Sequence, residues 1–112
     1  MKELIKKTRI FAQNRDWEQF HSPKNLAMAL SVEVAEIVEH FQWMSEAESK
    51  SLEPAKLAAV KEEIADVMIY LTRLADRLGI DPLQAAEEKM QLNEIKYPVD
   101  KAKGRAAKYT EF

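Results

Sequence analysis

Three of the four prolines in this chain stand at the head of a long stretch whose apolar residues recur at helical spacing. Proline suits the first turn of a helix, where its missing N–H has no intrahelical partner and its fixed φ is already helical. Ser22-Pro23 and Asp81-Pro82 each place a capping oxygen before such a proline, and Pro54 repeats the signal with Ser51 close enough to cap. Only two glycines occur in 112 residues. The chain therefore lacks the punctuation of a many-stranded β fold and of a glycine-rich phosphate loop.

The spacing predicts helices over Met1–Arg15, from Pro23 to about Trp43, from Pro54 to about Leu78, and from Pro82 to about Ile95. In the first, Leu4, Ile5, Ile10 and Phe11 share a face. In the second the stripe is Leu26, Leu30, Ile37 and Phe41, with Glu33 on it. In the third, Leu57, Val60, Ile64, Val67, Leu71, Leu74 and Leu78 alternate three and four apart, a seam suited to helix–helix packing. Gly79 falls where a helix ends in a left-handed residue. Asp16–His21 reads as an irregular aromatic stretch, Met44–Glu53 as a polar loop, and Tyr97-Pro98 as a stop. The expectation is an all-α single domain, 1–112, ending in a basic tail over 98–112. Met68 and Ile69 lie away from the main seam, so the long helices carry apolar surface on more than one side. Oligomerisation is the expected means of burying it.

A formal net charge of −2 and the absence of cysteine exclude general nucleic-acid or membrane-surface binding, disulfides and thiolate metal sites. The amphipathic N-terminus has no signal-peptide core, and no apolar run is long enough to span a bilayer. The expected compartment is the cytoplasm.

Two carboxylate pairs interrupt the apolar helices. In Leu26–Val38 the only polar side chains are Ser31, Glu33 and Glu36. In Ile64–Leu71 the only charge is Asp66, with Glu63 just before it. Residues three apart are neighbours on a helix, so two antiparallel helices can bring both pairs together. An unpaired buried carboxylate costs several kcal/mol, as an order of magnitude, and neither segment supplies a base to offset it. An all-oxygen site suits Mg²⁺ or Mn²⁺. Glu39 and Glu62 flank the pairs as outer ligands or as a base. Acids on solvated helix faces are the bland alternative, weakened here by two pairs on consecutive helices among apolar neighbours.

At these residues the sequence resembles the MazG-like nucleoside triphosphate pyrophosphohydrolases, through Glu33-Val-Ala-Glu36-Ile-Val-Glu39 and Glu62-Glu63-Ile-Ala-Asp66. It is most similar to the dCTP pyrophosphatase branch, through Arg15-Asp16-Trp17-Glu18-Gln19-Phe20-His21, Phe41-Gln42-Trp43, Asp66-Val67-Met68-Ile69-Tyr70-Leu71, Lys96-Tyr97-Pro98 and Lys108-Tyr109-Thr110-Glu111. The resemblance implies a four-helix MazG-like bundle completed as a homodimer or homotetramer. It implies Mg²⁺-dependent cleavage of a (deoxy)nucleoside triphosphate, dCTP or a related dNTP, to the monophosphate and pyrophosphate. It makes Glu33, Glu36, Glu63 and Asp66 the Mg²⁺ ligands. It places Trp17, Phe20, His21 and Trp43 at the base pocket, and Lys89, Asn93, Lys96 and Tyr97 toward the phosphates. Glu94-Ile95 before Lys96 depart from the more basic residues of some relatives.

Hydrolysis needs a proton acceptor for water, a role for Glu36 or Glu39 that the sequence does not divide between them. Lys89, Lys96, Arg105 and Lys108 are candidate counter-charges or plain surface cations. Trp17 and Trp43 can stack on a base or fill an interface, and Phe20 the same. Asn25 can bond a nucleobase edge or local backbone. Tyr70 is expected in the core. Other readings are a non-catalytic helical adaptor with a structural cation, and a hydrolase acting on dUTP or phosphoribosyl-ATP.

Overall fold

The computed structural model describes residues 1–111; Phe112, the last residue of the tail assigned from sequence, lies outside the described residues. The chain is all-helical, with no strand among the described residues. Among the described residues six α-helices follow in order: α1 Lys2–Asn14, α2 Pro23–Phe41, α3 Glu46–Ser49, α4 Pro54–Arg77, α5 Pro82–Lys96 and α6 Val99–Ala102. The four long ones are those the sequence predicts. The chain forms two compact units, Met1–Ile80 and the segment from Asp81 onward.

The helix starts are built as expected at two of the three prolines. The Ser22 hydroxyl accepts the Asn25 N–H, and the Asp81 carboxylate accepts those of Leu83 and Gln84. Ser51 does not cap α4; Glu53 occupies the N-cap without a side-chain hydrogen bond. The expected loop Met44–Glu53 holds α3, closed by a capping box in which Ser45 and Glu48 each bond the other's backbone. The Ser-x-x-Glu spacing for it stands in the sequence. Asp16–His21 contains a 3-10 turn, Glu18–Phe20.

Two helix ends share one device. At Gly79 (φ 69°) the N–H groups of Gly79 and Ile80 return to the carbonyls of Asp76 and Ala75, a Schellman closure. At the end of α1 the N–H groups of Asp16 and Trp17 return to Gln13 and Ala12 in the same way. There the left-handed position is held by Asp16 (φ 54°), not by glycine. Its carboxylate accepts a bond from Gln19 Nε2, local support for a conformation that costs a non-glycine residue about 1–2 kcal/mol.

In the first unit α2 packs on α4, and α1 packs on α4. The α2–α4 pair is antiparallel: Arg77 Nε donates to the His21 carbonyl, while at the other end Lys56 Nζ meets His40 Nδ1 at 3.2 Å. Among the described residues Leu26, Val60, Ala12 and Ala75 are the buried apolar ones. The expected single seam of α4 divides in two. Val60, Val67 and Leu74 face inward, while Leu57, Ile64, Leu71 and Leu78, spaced by seven, are exposed along with Met28, Val32 and Val38 of α2. In the second unit Lys96 lies over the Tyr109 ring and Tyr97 meets the same ring edge-on, so the tail folds back on the end of α5. Among the described residues no helix is long and apolar enough to cross a membrane.

Candidate active site

Antiparallel packing brings Glu33 and Glu36 of α2 against Glu63 of α4. Each offers a carboxylate oxygen, and the three oxygens lie within 4.8 Å of one another. Oε2 of Glu33 and Oε2 of Glu63 are buried without a hydrogen-bond partner. Like charges this close cannot all stay ionised cheaply. The hydrogen bond to Glu36, then burial, then the charges of Glu36, Glu33 and Asp66 push the Glu63 carboxyl up to about 7. Burial, then the hydrogen bond and charge of Glu36, raise Glu33 as well. His40 Nε2 stands 4.0 Å from Glu63 Oε1, and Lys56 Nζ bonds the other ring nitrogen. Three converging, under-neutralised oxygens with two orphaned lone-pair sites are a donor set that fits a hard divalent cation.

Asp66 is not part of that triple. Three residues advance a helix by about 300°, so side chains at i and i+3 diverge by about 60°. On α2 both acids still reach the cluster; on α4 Glu63 does, and Asp66 lines the neighbouring cavity. Its charge is nevertheless felt at Glu33 and Glu63. Glu39 and Glu62 are exposed and lie outside the triple.

The cavity, about 390 Å³, lies between α1, the turn after it and α4. Its size is that of a small-molecule site. Leu4, Thr8, Phe11 and Ala12 of α1 face Asp66, Ile69, Tyr70 and Arg73 of α4, with Trp17 and His21 closing one side. The Schellman end of α1 is what turns Trp17 into place. Its ring meets Phe11 at 5.7 Å and His21 at 6.2 Å, both edge-on. His21 Nδ1 is buried without a partner. Burial, then the charges of Arg73 and Arg77, lower the His21 pKa, which favours the neutral imidazole.

Arg73 is only 3% exposed. Its Nη1 donates to Asp76 Oδ2 at 3.2 Å, and Asp76 is gripped from outside by the Arg9 guanidinium at 2.6 and 3.0 Å. That bidentate bond holds the Asp76 carboxyl below the usual aspartate range. Arg73 Nε and Nη2 remain buried and unbonded. An unmet buried donor costs roughly 1–3 kcal/mol, more when charged.

The structure thus gathers Glu33, Glu36 and Glu63 in one place, and Trp17, His21 and Asp66 at the adjoining cavity. Trp43 is 89% exposed and does not line the cavity; Phe20 is exposed also. Asn25 Nδ2 donates to the Phe20 carbonyl, the local-backbone role. Tyr70 lines the cavity. Lys89, Asn93, Lys96 and Tyr97 lie on α5 and its C-cap in the second unit. Sequence reasoning did not reach the α1 wall, His40 with Lys56, or Arg73. Arg73 had a signal, as the one basic residue within the apolar run Ile64–Ala75.

Comparison with known proteins follows the same lines. Residues 28–112 match the MazG-like family. The chain is 48% identical over 103 residues to rat dCTP pyrophosphatase 1, covering 90% of this chain and 61% of the relative. Human dCTP pyrophosphatase 1 is 46% identical over the same share. The chain therefore spans about three-fifths of the length of the curated relatives it matches. The crystal structure of a pyrophosphatase from Archaeoglobus fulgidus DSM 4304 superposes with a TM-score of 0.82 at 46% identity, covering 88% of this chain and 92% of that one.

Proposed function

The chain belongs to the MazG-like family, and from that premise we propose that it is a Mg²⁺-dependent pyrophosphohydrolase. Its substrate is a deoxynucleoside triphosphate, dCTP or a close relative, cleaved with water to the monophosphate and pyrophosphate. The observation that carries this reading is the triple of Glu33, Glu36 and Glu63 with its two orphaned buried oxygens, beside a cavity of nucleoside size lined by Trp17, His21 and Tyr70. The names of the relatives support dCTP as the first substrate to try.

Glu33, Glu36 and Glu63 would hold the cation, with Asp66 joining from the cavity side. A bound Mg²⁺ supplies Lewis-acid stabilisation of charge on the phosphate oxygens. The chain's own work is then positional and protic. The cavity fixes the base, so that the α-phosphorus comes to the acid cluster at the middle of α4. One carboxylate accepts a proton from the attacking water as the α–β bridging oxygen leaves with pyrophosphate. Glu36 serves that role better than Glu39, because Glu36 already stands in the cluster and Glu39 faces solvent. Assembly as a homodimer or homotetramer belongs to the same proposal. It would cover the exposed stripe of Leu57, Ile64, Leu71 and Leu78, and Trp43 with it.

Pyrophosphate release from dCTP, dTTP, dUTP and dATP, each with and without Mg²⁺, tests the reading. Release that depends on the cation and favours dCTP is expected. No release from any of them would leave a non-catalytic helical module instead.

A further inference from the structure

Six buried polar side-chain atoms lack a partner among the described residues. Two are the Glu33 and Glu63 oxygens of the acid cluster. Three, His21 Nδ1 with Arg73 Nε and Nη2, belong to side chains that line the cavity. The sixth, Thr72 Oγ1, belongs to a residue that does not line it. Nε and Nη2 form one edge of the planar guanidinium, a fork of two parallel donors. The remaining nitrogen is already spent on Asp76, and Arg9 locks Asp76 from behind. The fork is thus rigidly held, buried and unused. Two adjacent acceptors on a ligand would satisfy it.

Its distance from the acids indicates which part of a nucleotide it meets. Arg73 follows Asp66 by seven residues, two turns, or about 10 Å along the helix axis. Both line the same cavity, with Tyr70 between them. That span suits the reach from an α-phosphate to the far edge of its base.

We propose that Arg73 is the residue that selects the base, its Nε/Nη2 edge donating to O2 and N3 of cytosine while His21 Nδ1 accepts from the N4 amino group. This rests on the pyrophosphohydrolase reading above. Along its pairing edge cytosine shows acceptor, acceptor, donor; Arg73 and His21, two side chains of the cavity lining with unpartnered buried nitrogens, would answer with donor, donor, acceptor. Thymine and uracil show acceptor, donor, acceptor. Their N3–H would meet an N–H of Arg73, and their O4 the lone pair of His21. Adenine sets one acceptor beside a donor and leaves half the fork empty. The acceptor role needs a neutral imidazole protonated at Nε2, and burial with the charges of Arg73 and Arg77 favours the neutral ring. A site built to bond a polar edge rejects the analogue that lacks it, because its own buried groups are then left unpaired.

The test compares kcat/KM for dCTP, dUTP and 3-deaza-dCTP, in which a C–H replaces N3, on the wild type, Arg73→Lys and Arg73→Met. Circular dichroism and thermal melts report folding. The wild type is expected to prefer dCTP over 3-deaza-dCTP by at least about 10-fold. Arg73→Met should bring that ratio, and the dCTP/dUTP ratio, close to one, and Arg73→Lys should recover part of it. A merely structural arginine would lower all substrates alike and leave the ratios unchanged, which would overturn the proposal. If Arg73→Met does not fold, the wild type decides by itself: indifference to 3-deaza-dCTP overturns the assignment, and discrimination supports it. If the wild type cleaves no triphosphate, the catalytic reading fails separately. Calorimetric titration with dCMP and 3-deaza-dCMP then still reads the fork, with tighter dCMP binding in support and equal binding against.

Discussion

The middle of the α2–α4 pair and the α1-covered end of α4 leave opposite kinds of atoms unsatisfied. The middle buries oxygens: Glu33 and Glu63 each keep one without a donor, and the hydrogen bond to Glu36, then burial, push the Glu63 carboxyl up to about 7. The other end buries the N–H donors of Arg73 and a lone ring nitrogen of His21. Each region is costly alone, and each cost has a different remedy. A cation relieves the first; a flat edge of acceptors and donors relieves the second. One helix carries both, with Asp66 between, so a ligand that is polyphosphate at one end and nucleobase at the other satisfies the helix along its length.

The largest expected effect separates the two regions by chemistry. Glu36→Gln and Glu63→Gln should each lower kcat for pyrophosphate release by about 100-fold or more, with an unchanged helical circular-dichroism spectrum and a metal-free Tm equal to or above the wild type. Asp66→Asn is expected to lose activity as severely. A loss confined to KM would leave Asp66 a residue of the cavity alone, with no part in holding the cation.

The next breaks the cavity by its support. Asp76→Ala removes the carboxylate that neutralises a buried arginine, and should destabilise the fold by roughly 3–5 kcal/mol in denaturant melts. Arg9→Ala removes a partner that is half exposed, and should destabilise far less than Asp76→Ala in the same melts.

A third prediction concerns pH in the metal-free protein. The Glu63 carboxyl is raised from an ordinary glutamate value near 4.5 to about 7 on folding. Between those values the folded state binds more protons than the unfolded one, so this group makes stability fall as pH rises from about 4.5 to about 7. Saturating Mg²⁺ favours the ionised cluster and should flatten that fall. Thermal melts across the window with and without the cation check the sign. The cavity end has no such response to the cation.

The smallest effect lies at the turn that sets Trp17. Asp16 holds a left-handed φ of 54°, so Asp16→Gly should stabilise by about 1 kcal/mol and leave the choice of base unchanged. A changed choice would show that the turn does more than aim Trp17.

Helix starts were legible because Ser22-Pro23 and Asp81-Pro82 state their chemistry in two adjacent residues, and the acid cluster because carboxylates stand out in apolar runs. The cavity was not. Its α1 wall consists of Leu4, Thr8, Phe11 and Ala12, residues that any amphipathic helix carries, and nothing in their spacing tells which helix they meet. The end of α1 was obscured by an aspartate in the position where glycine would announce it. The seam of α4 read as one line because three-four alternation does not distinguish the inward half, Val60, Val67 and Leu74, from Leu57, Ile64, Leu71 and Leu78. Spacing groups Asp66 with Glu63; the structure places Asp66 on the cavity lining beside the triple, close enough for its charge to be felt at Glu33 and Glu63.

The most direct measurement is an anomalous difference map from crystals grown with Mn²⁺ and a dCTP analogue whose α–β bridge is an imido group. Manganese is expected among Glu33, Glu36 and Glu63, with the triphosphate on it and the cytosine edge against Arg73. Manganese seated elsewhere, or a nucleotide bound with its base away from the α1–α4 cavity, would contradict it.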